Sequence, residues 1–438
     1  MVARRRIVLA LLAAMALFIA ACGSSNNSSS SSSGGSSGGG GTKVSGAKVI
    51  DPNSMNNPPK GTITFCQGKD TTGIAKDLIK DFNAKYSSQG WKVKLVEFPA
   101  SADAQRAQFI QRQQAKSGDC DVFSSDVIWT AEFSSQKWLY DLTPYVNKAR
   151  SKYIAAPLET VHYGGKYWGV PETSDAGFIY YKTGSPPATW QQVYSQAKSG
   201  GGVVYQGAPY EGLTCNFLEI AFAAGGQVLT PDGKKSAFNS PANLKALELM
   251  ANGIKQGEAP KSVTTYMEPE TDQAWTSGKY SYMRNWTYAY AADNTGASKV
   301  KGKYKVAPLP SFEGGGKAGI LGGHNSVISV YSKNPGLSLK LADFYASDAF
   351  QKKALLKFSQ AAIIPSVYSQ PDVKKAVPYA SELLQALSQA KARPVSPVYP
   401  QISQAIYKNV NDALAGRTSP QAALKKADSQ INAALSTF

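Results

Sequence analysis

Histidine is almost absent from this chain of 438 residues, since only His162 and His324 occur. A histidine-rich metal site is therefore excluded, and neither a bound metal nor a cofactor is expected. A Ser-His-Asp triad would have to use one of these two residues, and neither lies in a context typical of such a site. Outside the low-complexity residues 23–41, neither a G-x-S-x-G elbow nor a P-loop occurs. A glycosidase needs only two carboxylates, so composition does not exclude that class of enzyme.

Acidic residues are fewer than basic ones, yet the basic residues form no tract. The formal charge is +17, or +14 without Arg4, Arg5 and Arg6. Lysine and arginine are dispersed, and neither zinc-finger spacing nor an RNA-binding signature occurs, so no nucleic-acid partner is expected. The dispersed positive charge favours attraction to an anionic cell envelope.

The sequence has one long apolar run, from Ile7 to Ala21, directly after the three arginines. A basic start, about fifteen apolar residues and small residues at the end are the parts of a secretory signal, and the run is short for a bilayer span. Its end, Ile19-Ala20-Ala21-Cys22, resembles a bacterial lipoprotein signal. That resemblance implies a signal peptide over 1–21, a lipidated Cys22 and anchoring at the outer face of the cell membrane. An uncleaved helix, or an ordinary signal followed by a chance cysteine, is the alternative.

Residues 22–60 are predicted to form a flexible tether. Residues 23–41 are almost entirely Ser, Gly and Asn, with no apolar side chain to bury. Residues 42–60 lack periodicity and are expected to continue the linker, so that folding begins near Gly61.

Cysteine is scarce as well, and three residues remain once Cys22 is lipidated. Cys66 ends a predicted strand and Cys120 begins another, so a disulfide between them is reasonable if the two strands are neighbours. Cys215 is then unpaired, and its apolar neighbours indicate a buried rather than a reactive thiol.

The body of about 380 residues is large for one core, which suggests two lobes. Strands predicted at 61–65, 91–98 and 120–125 alternate with helices that begin near Ile74 and Ser101, which favours an α/β fold with a mostly parallel sheet. Residues 168–171 and 177–181 read as two extended pieces, separated by a polar break that could cross between lobes. Residues 304–310 and 326–330 read as extended again, and the chain is predicted to be helical from Leu337, with a last helix capped by Ser419.

Six segments in a fixed order carry a family resemblance. They are DVFSSDVIWTAEFSSQKW (121–138), PETSDAGFIYY (171–181), YEGLTCNFLE (210–219), YSYMRNWTYAYAA (280–292), LGGHNSVIS (321–329) and ARPVSPVYPQIS (392–403). Together they resemble the family 1 extracellular solute-binding proteins of ABC importers, in particular the trehalose/maltose-binding lipoprotein branch. The resemblance runs from about Gly61 to the C-terminus.

The resemblance implies a two-lobed, type II-like periplasmic-binding-protein fold of class α/β. The chain is expected to cross between the lobes several times, and the lobes to close over a ligand by hinge motion. On this basis the N-lobe takes 61–173 and 306–348, and the C-lobe takes 174–305 and 349–438.

The resemblance also implies a set of ligand-binding residues. Trp286 is similar to the family's sugar-stacking platform, because the apolar C–H face of a sugar packs on an aromatic ring. Carboxylates and guanidinium groups supply strong, directed hydrogen bonds to hydroxyl groups. The full set is Asp70, Arg106, Asp126, Asp175, Glu211, Trp286, Tyr288, Gly323, His324 and Arg393, with Gly322 expected beside Gly323.

Structural roles compete with these assignments. Trp286 could be a core residue, Asp126 a helix cap, Asp175 a turn-stabilising residue at the crossover and Arg393 an ion-pair partner. The tryptophans Trp129, Trp138 and Trp275 are expected to serve packing rather than binding.

His324 departs from the family pattern, because similar proteins often carry tryptophan at this place. An imidazole offers less stacking area and adds a polar group, so the sugar preference is expected to differ. If His324 contacts ligand, protonation near its reference pKa of about 6.5 would tune affinity.

The sequence therefore predicts a monomeric, lipid-anchored receptor that is not an enzyme. It is expected to capture an oligosaccharide, such as an α-linked disaccharide like trehalose or maltose, and to deliver it to an ABC permease. Two alternatives stay open: a tethered glycoside-acting enzyme, and a receptor of the same fold for a non-sugar solute such as a polyamine or a metal complex.

Overall fold

The computed structural model describes residues 44–437. The signal peptide, Cys22 and the Ser/Gly tract lie outside the described residues, together with the predictions made for them. No helix within 44–437 combines the length and the apolar character needed to cross a membrane.

Ten strands are present in the described chain. They are β1 Gly61–Gln67, β2 Trp91–Glu97, β3 Val122–Asp126, β4 His162–Tyr163, β5 Lys166–Tyr167, β6 Val170–Tyr181, β7 Val203–Val204, β8 Tyr282–Trp286, β9 Lys305–Pro308 and β10 Leu321–Ile328.

Helices connect and cover these strands. They are α1 Ile74–Tyr86, α2 Ala102–Gln114, α3 Thr130–Ser135, α4 Thr143–Ala149, α5 Ala155–Glu159, α6 Trp190–Ala197, α7 Glu211–Ala223, α8 Pro241–Lys255, α9 Glu268–Thr276, α10 Ala289–Asp293, α11 Pro335–Tyr345, α12 Asp348–Phe358, α13 Pro365–Tyr368, α14 Pro371–Ala376, α15 Ala380–Gln389, α16 Tyr399–Leu414 and α17 Pro420–Leu435. Short 3-10 helices lie at Pro52–Met55, Ser87–Gln89, Arg150–Lys152, Lys198–Gly200 and Lys261–Thr265. The predicted cap of α17 is confirmed, because the Ser419 side chain accepts a hydrogen bond from the amide of Ala422.

One sheet joins eight of the strands in the order β2-β1-β3-β10-β6-β8-β7, with β9 also paired to β6. The pairs β1–β2, β1–β3 and β7–β8 are parallel, as the strand–helix alternation predicts. The prediction of a mostly parallel sheet is nevertheless wrong, because β10 and β6 are antiparallel to their neighbours. Strand β10 follows β9 without an intervening helix and β6 follows the short β4–β5 pair, so no helical crossover of the βαβ type leads directly into either strand and imposes a parallel direction.

Strand β6 is continuous, which corrects the prediction of two extended pieces around a polar break. All of its residues are buried. Its polar side chains stay in the sheet because they find partners there: the Glu172 carboxylate accepts hydrogen bonds from the Ser124 and Ser326 hydroxyl groups. Burial raises the pKa of Glu172 to about 7, and those two hydrogen bonds oppose the rise. The first part of β6 pairs with β10 and the last part with β8 and β9.

The segment before β1 packs against the body, so the prediction that the linker extends to Lys60 is wrong. Val44 and Ile50 are buried, and the amide of Ile50 donates to the carbonyl of Asp141 at 3.3 Å. Scattered apolar residues show no periodicity when they fill separate gaps, which is why the sequence pattern missed them.

The predicted N-terminal strands and helices are confirmed by β1, β2, β3, α1 and α2. Cys66 in β1 and Cys120 just before β3 are joined by a disulfide with a Cα–Cα distance of 5.9 Å. Cys215 is a free, buried cysteine, as predicted. The lobe boundaries remain a prediction.

Candidate functional site

A cavity of about 230 Å³ lies where the segments after β1, β3 and β8 meet the first turns of α2, α7 and α9. Most of the predicted site residues line it: Asp126, Asp175, Glu211, Trp286, Tyr288, Gly322, Gly323, His324 and Arg393. Residues that are far apart in sequence therefore meet where β3, β10, β6 and β8 lie side by side in the sheet.

Arg393 links three walls of the cavity. Its Nη1 donates to Glu211 Oε1 at 2.7 Å, and its Nη2 donates to Asp126 Oδ1 and to the carbonyl of Leu321, each at 3.3 Å. The Arg393 side chain is 3% exposed. An arginine held by two carboxylates keeps a fixed direction, so its remaining donor positions are fixed as well.

Glu211 begins α7 and has its oxygens occupied by protein partners. Besides Arg393, it accepts hydrogen bonds from the hydroxyl groups of Tyr399, at 2.6 Å, and of Ser403. Burial raises the pKa of Glu211, while the nearby Arg393 charge lowers it. Glu211 therefore lines the cavity mainly as the support of Arg393.

Asp126, the last residue of β3, makes a local hydrogen bond and is also partly exposed at the cavity. Its Oδ1 accepts the amide of Ile128 at 3.2 Å, which is a local turn rather than the helix cap considered from the sequence, because α3 has Trp129 at its N-cap and no side-chain cap. Its side chain is 13% exposed at the cavity. This turn contact and ligand contact are compatible because a carboxylate offers about four acceptor positions.

Asp175 lies in the middle of β6 and faces Gly322 of β10 in the pairing register. Its Oδ1 accepts from the Ala176 amide at 3.0 Å, the Thr287 amide at 3.0 Å and the Thr287 hydroxyl at 2.7 Å. Within residues 44–437, every hydrogen bond that the Asp175 carboxylate accepts reaches Oδ1. Burial raises the pKa of Asp175 to about 6, against the lowering effect of those bonds.

Trp286 and Tyr288 supply the aromatic wall of the cavity. Trp286 ends β8 and is partly exposed, whereas Trp129 and Trp275 are buried in the core and do not line the cavity. The Tyr288 hydroxyl donates to Asp272 Oδ2 at 2.9 Å, which fixes its ring. An open ring face beside fixed acceptors suits a ligand with both apolar and hydroxyl surfaces.

Gly323 and His324 form the β10 side of the cavity. Gly323 has a φ of +113°, and a Cβ there would lie 2.4 Å from the carbonyl oxygen of Thr173, so only glycine fits. His324 stands opposite Asp126 in the β3–β10 register. Burial lowers the pKa of its imidazole; Asp126 raises it and Arg393 lowers it further. The ring therefore stays neutral to lower pH than a free histidine.

Two predicted residues do not line the cavity. Asp70 uses both carboxylate oxygens at the start of α1, where they accept amide hydrogen bonds from Gly73 at 2.7 Å and Ala75 at 3.0 Å. Arg106 forms an ion pair with Glu132, with Nε donating at 2.6 Å. Both side chains are therefore engaged in structural contacts within the protein, and neither is included in the candidate site.

The cavity is also lined by residues that the sequence did not assign to the binding site. They are Lys69, Thr71, Thr72, Ala100, Ala102, Gln105, Tyr210, Gly212, Cys215, Glu268, Pro269 and Gln360. The Tyr210 hydroxyl donates to Glu268 Oε2 at 2.7 Å, and burial raises the pKa of Glu268. Lys69 and Tyr210 are each adjacent to a predicted residue and could have been found that way. Glu268 carries no local signal, since only the fold brings α9 to the cavity.

Hydrogen-bonding groups and one aromatic face dominate the site. Within residues 44–437 no cluster of three His, Cys, Asp or Glu side chains is arranged to hold a metal ion. The arrangement can bind a polar ligand by stacking and by directed hydrogen bonds.

Comparisons with known proteins point in one direction. A family model described as "Bacterial extracellular solute-binding protein" matches residues 68–352. A Deinococcus radiodurans protein described as "Probable ABC transporter-binding protein" is 35% identical over 395 residues, which are 84% of this chain and 93% of the relative.

Solved structures agree with the fold. The maltose-bound T. maritima MalE3 is similar with a TM-score of 0.80 and 32% identity, over 84% of this chain and 98% of that chain. A Thermotoga lettingae ABC transporter solute-binding protein bound with α-D-tagatose has a TM-score of 0.78 and 24% identity, over 86% and 100% of the two chains. The expected α/β, two-lobed binding-protein fold is thereby confirmed.

Proposed function

This chain belongs to the family of bacterial extracellular solute-binding proteins, and on that premise we propose that it captures an oligosaccharide for an ABC importer. The observation that carries the proposal is the meeting of Trp286 with Asp126, Asp175 and Arg393 in one cavity. A ring face for stacking and charged groups for hydroxyl groups are the two contacts that a sugar requires.

An α-linked disaccharide such as maltose or trehalose is the ligand we propose. T. maritima MalE3, a structure above 30% identity to this chain, holds maltose. Micromolar capture corresponds to about 8 kcal/mol, which one stacked ring and several charge-assisted hydrogen bonds can supply after the cost of closure. No bond chemistry is proposed, so the sugar should leave the protein intact.

We propose that the two lobes close over the sugar. Strand β6 pairs with β10 at one end and with β8 and β9 at the other, which is the arrangement expected of a strand that crosses between lobes. Small-angle X-ray scattering would test closure, since the radius of gyration should fall when the sugar is added. An unchanged radius at saturating sugar would contradict it.

The lipid anchor at Cys22 is proposed from the sequence resemblance. Anchoring would keep the receptor close to its permease and raise its local concentration. Replacing Cys22→Ser should release the protein from the membrane fraction into the medium, and mass spectrometry of the wild-type N-terminus should find acyl chains. A wild-type protein without acyl chains would remove this part of the proposal.

A thermal-shift panel of trehalose, maltose, sucrose and longer α-glucans tests the function directly. We expect at least one sugar to raise the melting temperature, and chromatography after several hours should recover it unhydrolysed. Hydrolysis would favour a tethered glycoside-acting enzyme. A shift with a polyamine and none with any sugar would favour a non-sugar receptor.

Trp286→Ala should abolish binding of the sugar that the panel identifies, with little loss of fold. Trp138→Ala is the matched control, because Trp138 is also partly exposed but lies outside the cavity. Equal loss of affinity in both variants would point to general destabilisation, and retained affinity in Trp286→Ala would return that residue to a packing role.

A further inference from the structure

One face of the Trp286 ring is covered by Arg284. The two residues are both on β8 and two positions apart, so their side chains lie on the same side of the strand. The guanidinium carbon of Arg284 lies 4.0 Å from the centroid of the indole ring. A guanidinium plane at this distance makes a cation–π contact and occupies that face of the ring.

The Arg284 side chain is itself fixed in position by hydrogen bonds to buried neighbours. Its Nε donates to Glu219 Oε2 at 2.6 Å, its Nη2 donates to Glu219 Oε1, and its Nη1 donates to Gln206 Oε1 at 3.0 Å. The side chains of Arg284 and Glu219 are 1% and 0% exposed. A buried ion pair is weak evidence for stability, because apolar residues of similar shape are often as stable. A role in fixing the position of Arg284 explains the buried ion pair better than a contribution to stability does.

Two glycines leave the space that this arrangement needs. Gly177 stands opposite Trp286 in the β6–β8 register. A Cβ at Gly177 would lie 2.3 Å from Glu219 Oε1 and 2.8 Å from Arg284 Nη2. A Cβ at Gly322 would lie 3.0 Å from Cζ3 of the Trp286 ring. The ion pair therefore packs against the backbone of Gly177, and the Trp286 ring packs against the backbone of Gly322.

We propose that Arg284, fixed by Glu219 and Gln206, is the positioning residue of the Trp286 platform. It sets the orientation of the indole before ligand arrives and leaves one face free, so that a single sugar ring stacks there. A preorganised ring loses less conformational freedom on binding, which increases affinity. The proposal rests on the proposed function of Trp286 for its consequence in binding, but the orientation itself does not require a sugar.

The orientation is tested by ¹⁹F NMR of the sugar-free protein labelled with 5-fluorotryptophan. The Trp286 resonance is assigned by its loss in Trp286→Phe. In the double variant Arg284→Met with Glu219→Leu, which removes both buried charges, we expect this resonance to shift and broaden while the other tryptophan resonances keep their positions. Arg284→Lys with Glu219 retained is the second variant if the double variant does not fold.

Arg112→Met is the matched control, because Arg112 places its guanidinium carbon 4.7 Å from the Phe98 ring centroid, outside the cavity. Its Trp286 resonance should be that of the wild type. An unchanged Trp286 resonance in the folded Arg284 variants would overturn the proposal.

Affinity for maltose or trehalose, by calorimetry, gives the second readout. The folded Arg284 variants should bind about fivefold to tenfold more weakly, because an indole that is not fixed in advance must be ordered when the sugar binds. Wild-type affinity together with an altered resonance would overturn the effect on binding. If the wild type binds neither sugar, the proposed function fails, and the NMR result alone still decides whether Arg284 positions the ring.

Discussion

Arg393 donates from Nη2 to Asp126 Oδ1 at 3.3 Å although 267 positions separate them in the chain. The same guanidinium group binds Glu211 at the start of α7 and the carbonyl of Leu321 in β10. One side chain thus connects β3, β10 and α7 at the cavity, and it fixes the position of the Asp126 carboxylate relative to α7 and β10.

Arg393→Lys should weaken binding of the panel sugar about tenfold. A lysine keeps the charge but has a single ammonium group, which cannot reach Glu211, Asp126 and Leu321 in the directions of a planar guanidinium. Calorimetry measures the affinity. The matched control is Arg417→Lys, since Arg417 is an exposed arginine that also pairs with a carboxylate, Asp412. Equal affinity of Arg393→Lys and wild type would contradict a role for this bridge in binding.

Affinity should fall on acidification because of Asp175. Burial raises its pKa to about 6, so the empty cavity takes up a proton as the pH falls through that value. A sugar hydroxyl donates best to the ionised carboxylate, and binding must then expel the proton. With a pKa of about 6, the affinity at pH 5.5 should be about fourfold lower than at pH 7.5.

Asp175→Asn separates this effect from other titrating groups. Burial lowers the pKa of His324 below its ordinary value, so the imidazole contributes less to a change in this range than a free histidine would. Calorimetry at both pH values should show that the variant binds more weakly and has lost the pH dependence. A variant that keeps the full fourfold change would assign it to another titrating group of the cavity, such as His324 or Glu268.

Gly322→Ala should reduce affinity while leaving the fold largely intact. The new methyl group would lie 3.0 Å from Cζ3 of Trp286 and 3.3 Å from Cβ of Asp175, so the ring must move. Gly319→Ala is the control, because a Cβ there meets nothing within 4 Å. Thermal unfolding checks the fold, and sugar titration measures affinity. The same affinity in both variants would show that the ring tolerates the shift.

Asp293 should make the protein less stable at alkaline pH. It is fully buried, and among the described residues neither carboxylate oxygen has a hydrogen-bond partner. Burial and the nearby Asp272 charge raise its pKa to about 9. The native state therefore binds more protons than the unfolded chain between about pH 4 and pH 9, so the free energy of unfolding falls as pH rises across this range. From pH 7 to pH 9 the loss should be about 1 to 3 kcal/mol.

Asp293→Asn cannot ionise and should lose correspondingly less stability between pH 7 and pH 9. Urea unfolding of wild type and variant at the two pH values gives the difference. Asp232→Asn, at an exposed aspartate whose pKa is lowered, should behave as the wild type does. A parallel loss in Asp293→Asn and wild type would mean that Asp293 is not the titrating group.

The local pattern was sufficient for elements whose periodicity is set by one buried face. The strands β1 to β3 and the helices α1 and α2 follow it closely. Strand β10 begins at Leu321, five residues before the predicted start at Ser326, because Gly322 and Gly323 read as a turn in isolation. Their place in a strand depends on the neighbouring Thr173 and Trp286, which occupy the space where side chains would be.

The same distinction between local pattern and tertiary contact applies to the residues of the candidate site. The family resemblance placed Asp70 and Arg106 in the predicted set, as its weaker members, yet their charges are used by the start of α1 and by Glu132. Glu268 and Gln360 line the cavity without any motif. Whether a charged side chain faces a ligand or another residue depends on which elements pack beside it, and that information is not local.

The sequence by itself determined the family, the α/β class and fewer than half of the cavity residues, because strand and helix periodicity and motif order are written along the chain. Only the tertiary structure decided the mixed direction of the sheet, the continuous β6, the packing of 44–60 and the cation behind Trp286. Each of these depends on contacts between residues distant in sequence. The free energy of such contacts is set by burial and by the partners that folding brings together.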